Sequence, residues 1–278
     1  LLDAIQRKYA TANAWRPFLA TTADWLRLCL LHAVGRGHAW LGHASIPLRP
    51  VGDRFPVHCR FGTSDCATFR EIFIDEEYKV AEAHISGKVG GILDLGANIG
   101  CAARWFLRLW PEATVTAVEP DPDNCRMLAR NLNATPGGRR HRVVNAFVGG
   151  SSRIGHLVSK GPGYENEGAL GDAPSGAALS AAVLTGEQIL ARCPVPTDLV
   201  KIDVESSERE LFEGDSSWLA GCSWMLIEIH EPLDERWLAS RLPAWQVLAV
   251  EARRPGARLA LLRNTATVPS PGLGRSLR

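Results

Sequence analysis

Net charge is the first thing missing from this sequence. Its 278 residues carry 31 Lys and Arg against 30 Asp and Glu, which leaves no field to draw the chain onto nucleic acid or an anionic membrane surface. Long apolar runs are missing too. The longest, Trp25 to Val34, is broken by Arg27 and His32 and is too short to span a bilayer. No charged n-region and cleavage pattern precedes it, and the first residue is Leu1 rather than Met. No Cys-x-x-Cys occurs among the seven cysteines, at 29, 59, 66, 101, 125, 193 and 222. An odd set of scattered thiols fits a reducing compartment, so the expected location is cytoplasmic. His58, Cys59 and Cys66 lack the paired spacing of a zinc site and read as packing residues near a hairpin. No internal repeat occurs. What remains is an ordinary globular composition, 46% hydrophobic and 22% charged. The length suits one large α/β domain with an appendage, or two small domains.

The local patterns fall into three parts. Residues 1 to about 45 carry three of the nine tryptophans, Trp15, Trp25 and Trp40. They read as helices, with Asp24 capping a segment that puts Trp25, Leu28 and Leu31 on one side. Residues 46 to 75 look like short strands or a hairpin, and Phe69 to Val80 fits strand or helix equally. From Lys88 a regular alternation begins. Gly91 to Gly96 reads as a buried strand. Ile99 to Trp110 reads as a helix with Ile99, Ala102, Ala103, Phe106, Leu107 and Trp110 inward, and with Arg104 and Arg108 away from that face. Pro111 stops it, and Ala113 to Glu119 is the next strand. Asp121 then sits as an N-cap before Pro122, opening a helix to about Asn133. A third strand follows over 142–150, then Thr197 to Val204, a helix near Glu208 to Phe212, another buried run over 222–230, and a closing hairpin. Continuous apolar strands separated by helices indicate a parallel sheet covered on both faces. Between Gly149 and Ser180 the alternation lapses into a Gly/Pro/Ser-rich stretch. A loop of that length reads as a lid or a disordered segment, with Tyr164, Glu165 and Glu167 at its middle. The expected division is 1–64, a helical and short-strand region serving as cap, dimerisation element or docking surface, and 65–278, the main domain with its lid-like loop at 149–180.

In an open parallel sheet, ligands bind beyond the carboxyl ends of the strands where strand order reverses. Polar residues gather at those ends: Asp94 and the Gly96-Ala97-Asn98-Ile99-Gly100 turn, Glu119, Asn145, Asp203 with Glu205, and Glu228 with His230 and Glu231. The first turn lacks the Gly-x-Gly of a dinucleotide site and the Gly-Lys-Ser/Thr of a phosphate loop, so a pyrophosphate has little to hold it. Glu119 lies somewhat over 20 residues beyond that turn, where an acid accepts ribose hydroxyls. Asp94 repels phosphate and welcomes an ammonium group. A nucleoside carrying an amino acid meets these demands, and S-adenosylmethionine is that molecule. A tight βα turn without a ligand is the competing reading, and Glu119 counts against it.

The blocks ILDLGANIG, VTAVEPDPDNCRMLARNLN, VVNAFVG, TDLVKIDVESSERELFEG and LIEIHE, in this order, resemble the FkbM-type S-adenosylmethionine-dependent methyltransferases over roughly residues 65 to 250. The resemblance implies a class I, Rossmann-like fold, with a seven-stranded mostly parallel sheet that ends in a β-hairpin. It also implies that Asp94, Gly96, Ala97, Asn98 and Gly100 line the methionine part of the cofactor. Glu119 would hold the ribose, with Pro120 beside the adenine and Asn145 and Ala146 at its edge. The fourth block departs from the family's Asp-x-Glu-Gly-x-Glu, since Ser206 stands where Gly is usual.

Methyl transfer needs the acceptor held in line and its proton removed. Asp203, Glu205 and His230 are the candidate bases. Competing roles are a cofactor contact or helix cap for Asp203, a packed strand-end residue for His230 and a solvated first-turn acid for Glu208. Tyr164, Glu165, Glu167, Glu208 and Glu231 are the expected substrate contacts. The carboxylates could gather magnesium, as in the macrocin-type relatives, but nothing fixes their spacing, and no metal is expected. The resemblance implies a hydroxyl of a sugar or polyketide-type natural product as acceptor. The carboxylate-dense rim, with Glu165, Glu167 and Asp172 in the loop, also suits a cationic partner, and N-methylation of an amino sugar or aminoglycoside is the second reading. The expected partner is a small molecule, with neither nucleic acid nor membrane, and a homodimer through the N-terminal region is a further expectation. A non-catalytic binding module and an NAD-dependent dehydrogenase are the rival classes. The intact Glu119 and turn glycines count against the first, and the missing Gly-x-Gly counts against the second.

Overall fold

The computed structural model describes residues 15–19, 21–26, 45–60, 63–135, 140–159, 168–171, 179–205 and 207–267. After a 3₁₀ turn at Arg16–Phe18 and a helical stretch at 22–26 come an antiparallel hairpin, β1 (Ser45–Leu48) and β2 (Val57–Arg60), and two helices, α1 (Asp65–Phe73) and α2 (Lys79–His84). An alternating βα run follows: β3 (Gly91–Leu95), α3 (Cys101–Leu109), β4 (Thr114–Glu119), α4 (Pro122–Asn133) and β5 (His141–Asn145). Four short strands come next: β6 (Phe147–Val148), β7 (Arg153–Ser159), β8 (Gly168–Gly171) and β9 (Leu179–Leu184). The chain then resumes with α5 (Gly186–Leu190), β10 (Leu199–Ile202), α6 (Glu208–Glu213), β11 (Trp224–His230) and α7 (Glu235–Arg241), and closes on β12 (Trp245–Arg254) and β13 (Ala257–Asn264). Among the described residues no helix is long and apolar enough to cross a membrane.

Seven strands form the main sheet in the order β12-β13-β11-β10-β3-β4-β5. β11, β10, β3, β4 and β5 run parallel, and β13 is antiparallel to both β11 and β12. The parallel strands alternate between two buried layers. Ile92 and Val115 face Phe69, Phe106 and Leu128, whereas Leu93 and Val200 face Ile189, Leu211 and Leu238. Both faces are therefore covered, as the unbroken apolar strands require. From β3 the chain winds outward to β5, then crosses to the other side at β10. The reversal between β3 and β10 sets a crevice beyond their carboxyl ends. This is the Rossmann-like, seven-stranded and mostly parallel architecture expected from the sequence, closing hairpin included.

Several local expectations are met. Asp121 caps α4, its carboxylate accepting from the Asp123 and Asn124 N–H groups, with Pro122 opening the helix. Others are corrected. Phe69 to Val80 is the end of α1, a connection and the start of α2, so helix wins that ambiguity and residues 65–73 are not strand. The run over 142–150 is divided, because β5 joins the main sheet while β6 pairs with β9. The expected structureless loop carries strands: β6, β9, β7 and β8 form a second sheet in that order. Much of the Gly, Pro and Ser that signals a loop falls between those strands, at 160–167 and 172–178, outside the described residues.

Arg104 does not point away from the packed face. It is fully buried, pairs with Asp53 at 2.7 Å, and donates to the carbonyls of Phe55 at 2.7 Å and Asn131 at 3.1 Å. The hairpin connection lies over this side of α3 and supplies acceptors that no helical periodicity reveals. In the N-terminal segment, 22–26 is helical, but the cap is Thr21 rather than Asp24. The Thr21 hydroxyl accepts from the Asp24 N–H at 3.1 Å and donates to the Asp24 carboxylate at 2.7 Å. Trp15 and Phe18 pack on Phe69, with ring centroids 6.2 and 6.0 Å away. Leu28, Leu31 and Trp40 lie outside the described residues. Cys59 is buried in β2 within the same core.

Candidate cofactor and acceptor site

The turn after β3 is built from left-handed backbone. Gly96, Asn98 and Gly100 have φ of 75°, 48° and 88°. Gly100 ends the turn as the N-cap of α3. The N–H groups of Gly96 and Ala97 both donate to the Val118 carbonyl at 3.0 Å, which ties the turn to β4. Gly96 also lies against the backbone after β10, where an added Cβ would stand 1.7 Å from the Asp203 carbonyl oxygen. Asn98 presents a buried Oδ1 with no hydrogen-bond partner among the described residues, an acceptor in the loop expected to meet an ammonium group.

Glu119 ends β4 and turns toward this loop. Its Oε2 accepts from the Asn98 N–H at 2.9 Å, and its Oε1 accepts from the Asp121 N–H at 3.0 Å and the Asn124 amide at 3.1 Å. Burial pushes its pKa up to about 7, against the pull of those three donors. A carboxylate offers about four lone-pair directions, so the free one lies on Oε2. The residue fits a ribose hydroxyl at that oxygen. Asn145 is exposed and braces the neighbouring strand end, its amide donating to the carbonyls of Glu119 at 3.0 Å and Pro120 at 2.7 Å. Ala146 is buried, and its N–H donates to the Glu119 carbonyl at 3.2 Å.

A lysine that no strand-end reading singled out stands behind the turn. Lys201 on β10 is the register partner of Asp94 on β3, so the two side chains share a face. Its ammonium is 3.2 Å from Asp94 Oδ1 and 3.7 Å from Asp203 Oδ2, and it donates to the Gly96 carbonyl at 2.7 Å. Burial opposes the charge, yet Asp94 and Asp203 outweigh it and raise the lysine's pKa. Burial likewise raises that of Asp94, with Lys201 opposing. The signal for Lys201 was its place inside an apolar strand, where a lysine needs a partner.

An open cleft runs from the turn to the ends of β10 and β11, bounded on its far side by α1 and the α1–α2 connection. Asp203, Glu205 and Glu228 line it, and so do Glu71, Asp75 and Glu77. The last three lie in or beside the stretch whose conformation the sequence left open. Glu77 is pushed to about 7 by burial and by Asp203, against Arg253, whose guanidinium donates to the Glu77 carbonyl.

Of the expected catalytic side chains, Asp203, Glu205 and His230 come together, and Glu208 joins them. Glu208 is fully buried rather than solvated. Its Oε1 is 3.1 Å from His230 Nδ1, and His230 Nε2 lies 3.7 Å from Glu205 and 3.9 Å from Glu228. Burial disfavours the imidazolium, but Glu208, Glu228 and Asp203 overcome this and raise the histidine's pKa. Asp203, Glu228 and His230 each bring a ligand atom within 4.8 Å of the others, a spacing that could accept a divalent cation. Glu205 holds a left-handed φ of 52°, a strained conformation for a residue with a side chain. Glu231 is exposed and does not line this cleft, and His230 and Glu208 reach it only through Glu205 and Glu228, which do. Tyr164, Glu165 and Glu167 lie outside the described residues.

No protein-family model matches the chain. A hexuronic acid methyltransferase of Haloferax volcanii, AglP, is 28% identical over 144 residues, which are 51% of this chain and 57% of that protein. The chain thus spans little more than half the length of this relative. Among solved structures, precorrin-6y C5,15-methyltransferase from Geobacter metallireducens is similar at a TM-score of 0.41 and 12% identity, over 69% of this chain and 87% of that one. TrmK of M. capricolum, solved with S-adenosyl-homocysteine, is similar at a TM-score of 0.43 and 9% identity, over 68% of this chain and 67% of that one.

Proposed function

We propose that this chain is an S-adenosylmethionine-dependent methyltransferase of the FkbM type that O-methylates a hydroxyl of a sugar or polyketide-type natural product. The observation that carries this reading is the left-handed turn from Gly96 to Gly100. It sits at the strand-order reversal, bonded to Glu119 through Asn98 and open at the buried Asn98 Oδ1. The sugar-directed name of the Haloferax relative supports the choice of acceptor.

In this reading Glu119 holds the ribose, Pro120 and Ala146 flank the adenine, and Asn98 receives the amino-acid end. S-adenosylmethionine, when bound, supplies an electrophilic methyl group on sulfur, and its thioether leaves without needing a proton. The chain's own work is to hold the acceptor in line in the cleft and to take its proton. His230 is suited to that step, because Glu208 engages Nδ1 and leaves Nε2 beside Glu205 and Glu228. His230→Ala is expected to lower kcat by about 10²–10⁴-fold, with the affinity for S-adenosylhomocysteine unchanged. A variant that keeps its full rate removes His230 from the mechanism.

A second reading has its own support. Glu71, Asp75, Glu77, Asp203, Glu205 and Glu228 line the cleft against the cations Lys201 and Arg253, an excess that favours a cationic acceptor such as an amino sugar and repels a sugar acid. Radiolabelled methyl transfer to neutral sugars, an aminoglycoside and a hexuronate separates these readings. Transfer to neutral sugars alone supports O-methylation, and transfer to the aminoglycoside alone supports N-methylation. Calorimetry tests the common premise. No binding of S-adenosylmethionine or S-adenosylhomocysteine at high micromolar concentration leaves a non-catalytic module.

A further inference from the structure

A chain of side chains joins the N-terminal hairpin to Glu119. Arg60, the last residue of β2, is clamped by Asp65 at the start of α1. Its Nε and Nη2 lie 2.9 Å from Oδ2 and Oδ1, and its backbone N–H donates to Oδ2 at 2.7 Å. The same Nη2 donates to Asn124 Oδ1 at 2.5 Å. Arginine has no acceptor, so this contact decides which end of the Asn124 amide is oxygen. The NH₂ end is thereby aimed at Glu119 Oε1, 3.1 Å away. Asp65 and Asn124 are both fully buried. Buried amides and carboxylates rarely go unpaired, and here the guanidinium sets the direction of the Asn124 amide.

We infer that Asn124 and Arg60 are positioning residues for the nucleoside half of the cofactor. Arg60 orients the Asn124 amide, the amide holds Glu119 by Oε1, and Oε2 is left to receive a ribose hydroxyl. The hairpin, far from the strand ends in sequence, thus helps to shape the ribose site. This rests on the S-adenosylmethionine reading above. Without the amide, Glu119 loses a donor that favours its charged form and its single orientation.

Calorimetry on the full chain with S-adenosylhomocysteine and its 2′,3′-dideoxy analogue tests the inference. Asn124→Ala is expected to weaken S-adenosylhomocysteine about tenfold, about 1.4 kcal/mol, and to change affinity for the dideoxy analogue less than twofold. Arg60→Lys keeps the charge but cannot form the fork. It should weaken the same ligand about threefold with the same selectivity, and it serves if Asn124→Ala fails to fold. Combined with Glu119→Gln, Asn124→Ala should add nothing further, because both act on one contact. Unchanged affinity in both single variants, or equal weakening of both ligands, overturns the inference and leaves these residues a structural role. A wild-type chain that binds neither ligand overturns the cofactor reading, and the inference with it.

Discussion

Lys201→Met is expected to cost about 3–5 kcal/mol of folding stability, the range for breaking a buried ion pair from one side. For a chain of this size that is a fall in Tm of about 6–20 °C, at about 2–4 °C per kcal/mol. The ammonium is buried between Asp94 and Asp203 and donates to the Gly96 carbonyl. Removing it strands Asp94, which has no exposure to solvent in the middle of the sheet. The loss should depend on pH, with a sign fixed by linkage. Burial raises the folded-state pKa of Asp94 above its ordinary 3.8, and Lys201 opposes that rise, so its removal raises the value further. A carboxyl whose folded pKa is raised makes the native state bind more protons, and stability falls as pH climbs above 3.8. The deficit of the variant should therefore be smallest near pH 4 and largest above neutrality. Adding Asp94→Asn removes the stranded charge and should restore part of the stability. Urea titrations of the two variants at both pH values check this. A double variant no more stable than Lys201→Met, at every pH, would refute the pairing as the source of the loss.

What could be read from the sequence was mostly what neighbours in the chain decide among themselves. The buried strands announce themselves as apolar runs, Asp121-Pro122 carries its own capping chemistry, and the closing hairpin needs no distant partner. Tertiary partners decide the rest. Arg104 looks like an exposed helix position until the hairpin connection covers it with carbonyls and Asp53. Glu208 has the sequence of a solvated first-turn acid, yet β11 brings His230 against it from 22 residues away. The strands at 153–159 and 179–184 pair with each other across a Gly- and Pro-rich gap, and composition alone reads that gap as loop. For the site, strand-end arithmetic brought out Asp94, Glu119, Asp203, Glu205 and His230. It missed Lys201, Asn124 and Arg60, whose roles depend on register across the sheet and on the N-terminal hairpin rather than on position at a strand end.

Alanine at Gly96 is expected to be among the most damaging single substitutions, costing about 4 kcal/mol or more, a loss that points to a specific steric mechanism. Two effects combine there. The left-handed φ of 75° by itself costs a residue with a Cβ about 1–2 kcal/mol. The larger effect is contact, since the new methyl would stand 1.7 Å from the Asp203 carbonyl oxygen. That carbonyl cannot easily yield, because the Asp203 N–H is bonded to Leu95 at 3.1 Å and β10 is in register with β3. Two other glycines separate these effects. Gly52 has a similar φ of 80° with none of the described residues within 4 Å of an added Cβ, so Gly52→Ala should show the backbone cost alone. Gly100 has a φ of 88°, and its Cβ would meet a Leu128 methyl at 2.6 Å. A side chain can shift, so Gly100→Ala should fall between the other two, adding about 1–3 kcal/mol of overpacking. Thermal denaturation of the three variants ranks them directly, and S-adenosylhomocysteine calorimetry on those that fold tests the turn's role in binding. Displacement of Asp203 and the turn together should abolish measurable binding in Gly96→Ala while Gly52→Ala binds like the wild type. A Gly96→Ala chain as stable and as competent to bind as Gly52→Ala would mean that the close approach of the turn to β10 is dispensable, and with it the reason for a glycine at this position.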